Sequence, residues 1–202
     1  MNSRLCNTVF DESINRYHEK DDVDQDLINP YTPGSFEDLL LRKNWIDTVQ
    51  WHLEDIIRKP ENSGPEIQKL KQRIDASNQD RTDIVEQIDD RFVEYFSKFT
   101  PPADARLNSE TPAWVIDRLS ILALKIYHMR EQTIRQDVDQ DHIQSCEQKL
   151  NVLLEQRRDL SQSLDELLDD IEKGKRKMKV YRQMKMYNDK NLNPALYGQK
   201  SN

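Results

Sequence analysis

Three histidines are set for metal chemistry: His18, His52 and His128 are each followed three residues later by a carboxylate, Asp21, Asp55 and Glu131. On three helices brought together, three neutral imidazoles hold zinc, nickel or iron(II) and leave a coordination position open, as hydrolases and lyases require. The same spacing arises more often as plain i,i+3 pairing on the flanks of amphipathic helices, which is the leading reading, with the three-histidine metal site as the alternative. The Glu-x-x-His pairs of di-iron bundles are absent.

A second constellation is rich in arginine. The apolar stripe Ile67, Leu70, Ile74, Val85, Ile88, Phe92 and Tyr95 is broken at its centre by Asn78 and Arg81. The a/d seam from Ile143 through Cys146, Leu150, Leu153, Leu160, Leu164 and Leu167 to Ile171 is broken by Arg157. The most hydrophobic stretch, 113–131, carries Asp117, Arg118, Ser120, Lys125 and His128, which the pattern places in a buried environment. On residues 44–58, Ile46, Val49, Leu53 and Ile56 face the core. Trp45, His52 and Asp55 lie on one flank; Asp47, Trp51, Glu54 and Arg58 lie on the other.

Two readings of this polar layer stand side by side. In one, ion pairs such as Arg81–Asp117 or Arg157–Glu54 fix helix register. In the other, guanidinium forks line an internal pocket for an anionic small molecule, built from Trp45, His52, Glu54, Asp55, Asn78, Arg81, Asp117, Arg118, Lys125, His128 and Arg157. Several such residues on separate helices exceed what register needs, so the pocket leads. Other templates are missing: there is no Gly-rich phosphate loop, nucleophile elbow or Cys-x-x-Cys. Glu86/Asp89 and Glu166/Asp169 have magnesium-ligand spacing, which solvated helix faces also show. No reaction or cofactor follows from these residues.

The elements that must position them are helices. Apolar periodicity and proline punctuation predict five: 8–20, 35–59, 65–99, 113–131 and 139–173. Pro65 and Pro112 open two of them, where a missing N–H costs nothing. The expected fold is an all-α up-and-down bundle, residues 1–173, whose two long helices form an antiparallel spine. A basic tail, 174–202, follows.

Only four glycines and 33% charged residues favour helix over sheet, and mean hydropathy of −0.92 is offset by strong periodicity. No leader or membrane-length apolar run is visible, and two cysteines make no disulfide framework, so the cytoplasm is the expected compartment. Net charge is −7, yet Lys173 to Lys190 holds eight basic residues against Asp189 alone. That tail contacts either an acidic partner or the protein's own acidic body. Tyr181 and Tyr187 are too few for a nucleic-acid platform.

The strings Lys43 to Arg58, Arg73 to Arg81, Ala113 to Ser120, Tyr187-Asn188-Asp189 and Asn193-Pro194 resemble an uncharacterised all-helical bacterial family known only as a domain of unknown function. The resemblance spans nearly the whole chain and implies no established activity. Genes of that family neighbour glycosyltransferases of cell-envelope assembly. The resemblance therefore implies a saccharide context: a phosphorylated or nucleotide sugar as ligand, or a non-catalytic role beside an envelope glycosyltransferase.

Overall fold

The computed structural model describes residues 1–184 and 191–194. Among the described residues five helices carry the fold: α1 (Ser3–Tyr17), α2 (Phe36–Ile57), α3 (Gly64–Phe96), α4 (Pro112–Thr133) and α5 (Gln140–Glu172). Their starts follow local chemistry. Asn2, Ser35 and Asp139 accept from the backbone N–H groups of Leu5, Asp38 and His142, supplying partners for donors a helix leaves open. Pro65 and Pro112 sit in the first turns of α3 and α4, and Glu66 accepts from the Ser63 N–H at 2.8 Å. Two dipeptides, β1 (Arg106–Leu107) and β2 (Arg176–Lys177), add a short parallel pairing that helical periodicity does not reveal.

The helix directions decide where side chains meet. Ser3 bonds Asp165, and Asn7 bonds Ser161, so α1 runs antiparallel to α5. Phe36 meets Phe92, and Gln50 meets Asn78, so α2 runs antiparallel to α3. Asn44 meets Ser120, and His52 meets His128, so α2 and α4 run parallel. Hence α1, α2 and α4 point one way, and α3 and α5 point back. The connection 18–35 returns the chain across the bundle between the parallel α1 and α2.

The antiparallel spine is therefore corrected. The two long helices point the same way, and their ends meet where Tyr95 donates to Glu172 at 2.5 Å. Each packs chiefly on shorter helices, α3 on α2 and α5 on α4. The core between them gathers Phe10, Ile14, Leu40, Leu41, Ile88, Phe92, Leu119, Leu124 and Leu164.

Helix α2 departs from its expected face. Its buried residues include Lys43, Asn44, Trp45, Asp47, Thr48 and Leu53, whereas Ile46, Val49 and Ile56 are only half-buried. Surrounded by α1, α3 and α4, this helix turns its polar side inward because those groups satisfy one another there.

Candidate functional site

Because α1, α2 and α4 are parallel, their C-terminal ends converge. His18 is the residue that caps α1, and His52 and His128 each stand five residues before the end of their helix. Helix C-termini carry partial negative charge, felt most within the last turn, and His18 alone of the three stands there. One ring nitrogen from each histidine lies within 4.8 Å of the others. His18 Nε2 and His52 Nε2 are 3.3 Å apart. Two nitrogens bound to one tetrahedral zinc ion are separated by about 3.3 Å, the edge that follows from its usual bond length.

Hydrogen bonds orient two of the rings. His18 Nδ1 donates to the Ile14 carbonyl at 2.7 Å, and His128 Nδ1 donates to Glu131 at 2.8 Å. Each bond directs the proton to Nδ1 and frees the Nε2 lone pair, the arrangement typical of histidine ligands. His128 Nε2 is buried and has no hydrogen-bond partner. Burial lowers the pKa of His52, against the raising effect of Asp21.

Aromatic packing holds the cluster from outside. Tyr17 stacks on His52 at 5.0 Å, Tyr127 on His18 at 4.2 Å and Trp51 on His128 at 5.0 Å. Trp51 also lines a cleft of about 410 Å³ with Asp47, Gln50, Glu54, Asp55, Arg58, Arg81 and Ile121. Asp21, whose side chain is 58% exposed, lies beside the cluster.

The arginine constellation resolves into separate structures. Deep between α2, α3 and α4, Lys43 is wholly buried and pairs with Asp47 and, at 2.8 Å, with Asp117. Arg81 reaches Asp117 through two bonds of 3.0 and 2.6 Å and lies 3.2 Å from Asp47. Ser120 donates to Asp47 at 2.5 Å, and Asn44 donates to Ser120 at 2.9 Å. Burial pushes the Asp47 pKa up against the pull of Lys43. Burial also opposes ionisation of Asp117, but Lys43 and Arg81 outweigh it and hold that carboxyl low.

The remaining expected residues lie elsewhere or have local partners. Trp45 is buried against Tyr17, Asn78 bonds Gln50, and Glu54 pairs with Arg58. Asp55 is exposed at the cleft. The buried environment expected for Arg118 and Lys125 is corrected: both are exposed, Arg118 gripping Glu110 at 2.7 Å, and they line an open cleft of about 510 Å³ with Arg81 and Asp117. Arg157 binds Asn7 and Asp11 of α1, not Glu54, because α5 borders α1 and not α2. Sequence reading passed over Lys43. Its signal was its place three residues before Ile46 and four before Asp47, on the stripe taken as apolar.

The described part of the basic tail lies on the chain's own acids. Lys175 pairs with Asp170, and Arg182 pairs with Glu86 and Asp90. Lys185, Tyr187, Asn188, Asp189 and Lys190 lie outside the described residues. No helix among the described residues is long and apolar enough to cross a membrane.

Comparison with curated proteins and with solved structures gave no match in either. A family model does match, over residues 37–180, a stretch that contains His52, His128 and the whole Lys43–Asp117 network but begins after His18 and Asp21. That match covers more than half of the chain, which therefore belongs to the family DUF4254, described as a protein of unknown function.

Proposed function

We propose that the protein is a metalloprotein with a mononuclear centre at His18, His52 and His128, and that it acts as a metal-dependent hydrolase or lyase. The observation that carries this is the convergence of one ring nitrogen from each of three helices within 4.8 Å. The hydrogen bonds at His18 and His128 support it, since each puts the proton on Nδ1 and leaves the Nε2 lone pair free. Three imidazoles leave a divalent ion at least one open position, and an ion so held brings the pKa of a bound water from far above 10 to about 7. The cleft beside Trp51 would take the part of a substrate that does not react.

An anionic ligand in the arginine layer has less behind it, because Arg81, Arg58, Arg118 and Arg157 are each engaged by a carboxylate. A saccharide substrate, which the family resemblance implies, is compatible with the indole face in the cleft.

Metal content decides the matter. Protein stripped of metal and dialysed against zinc or cobalt should retain about one equivalent, and His52→Ala or His128→Ala should retain under about a tenth. Equal retention by wild type and both variants would end the proposal.

A further inference from the structure

Resting on that metal reading, we propose that Asp21 is the fourth protein ligand of the centre, a carboxylate on an exposed turn that completes a three-histidine, one-aspartate set for a divalent transition-metal ion. Asp21 Oδ1 lies 3.9 Å from His18 Nε2 and 3.7 Å from His52 Nε2, and those two nitrogens lie 3.3 Å apart. The point equidistant from the corners of that triangle lies in its plane, about 2.1 Å from each; a tetrahedral ion, with donor edges of about 3.3 Å, requires Asp21 to close by about half an ångström. The fourth donor is His128, one of whose ring nitrogens lies within 4.8 Å of those of His18 and His52; binding the ion draws it and Asp21 together.

The backbone carries a second, independent sign. Asp21 is the one non-glycine among the described residues with positive φ, +53°. An L-residue in that region is strained, and such strain persists where the surroundings hold it and collects at functional sites. Here Asp21 N–H bonds the Tyr17 carbonyl at 3.0 Å, closing the end of α1 with a left-handed residue. Glycine is the usual occupant of such a terminus. Aspartate there turns its carboxylate back over the helix end, toward the two nitrogens. The carboxylate also gives the ion an anionic ligand that three neutral imidazoles lack. Its exposed, single-turn mounting allows it to swing away and vacate a position for water or substrate.

The test is cobalt(II) titration of the metal-free full chain, read by the visible d–d spectrum, for wild type, Asp21→Asn, Asp21→Gly and His52→Ala. Glycine keeps the left-handed turn, so a loss of affinity in that variant reports the missing carboxylate and not a misfolded loop. Both Asp21 variants should bind cobalt at least about tenfold more weakly, with a changed spectrum. If both bind with wild-type affinity and spectrum while His52→Ala does not bind, the three-histidine centre stands and the role of Asp21 is refuted. If wild type itself takes up no cobalt, the metal reading fails, and this inference fails with it.

Discussion

Lys43 Nζ stands 2.8 Å from Asp117 Oδ1 in the middle of the bundle, with none of the lysine side chain exposed. Asp47 is its second partner, so one buried ammonium serves two buried carboxylates and Arg81 closes the balance. Removing the lysine leaves those acids underpaired in a low-dielectric site. Lys43→Met should therefore cost about 3–5 kcal/mol. Urea unfolding should show a lower midpoint with an unchanged slope.

Arg81 is better hydrated, 31% exposed, and its loss should cost less, about 1–3 kcal/mol. Arg81→Met combined with Asp117→Asn leaves Lys43 and Asp47 balanced. The double variant should be more stable than the sum of the singles predicts, a coupling that a double-mutant cycle measures directly. Simple additivity would show that Arg81 and Asp117 do not act as a pair.

Zinc at about a hundred times its dissociation constant should stabilise the wild-type chain by about 2.7 kcal/mol, seen as a raised melting temperature. The effect should vanish in His18→Ala, His52→Ala and His128→Ala. It should also fade in acid, because a protonated imidazole cannot bind a metal.

Asp89 offers a pH test away from the histidines. Burial raises its pKa from 3.8 to about 6, against the lowering effects of Thr111 and Arg182. The folded chain thus holds a proton that the unfolded chain has lost between those values, and stability must fall as pH rises through that window. Asp89→Asn mimics the protonated form. It should match wild type near pH 4 and melt at a higher temperature at pH 7 to 8.

Asp165 tethers the start of α1 through the Ser3 N–H at 2.7 Å and the Ser3 hydroxyl at 2.6 Å. Asp165→Ala should cost about 1–3 kcal/mol, the usual penalty for unmaking hydrogen bonds to a charged group. Proteolysis of the native protein should then cut first within α1.

Much of this architecture is legible in the chain. Pro65, Pro112, the Ser35 cap and the regular seam ending at Ile171 mark α2 to α5 to within a few residues, whereas α1, expected over 8–20, spans Ser3–Tyr17. The histidines and their trailing carboxylates were visible too. Their convergence was not, because it depends on α1 and α2 running parallel, which the unpatterned connection 18–35 determines. The trailing carboxylates also differ in a way that spacing hides: Glu131 bonds its histidine, whereas Asp21 is turned by a left-handed backbone. Lys43 escaped notice because a lysine beside Arg42 on a charged helix reads as solvated, and only three surrounding helices make that position interior.

The parallel course of α1, α2 and α4 has a kinetic consequence. No hairpin brings any two of the three histidines together. His18 and His52 are 34 residues apart, and α1 reaches its seat on α5 across separations of 150 and 162 residues. Helices form early and locally, but such distant closures come late because loop entropy must be met first. In the proposed centre, capture of a metal ion needs α1, α2 and α4 docked on one another, so the rate of cobalt uptake during refolding times that docking.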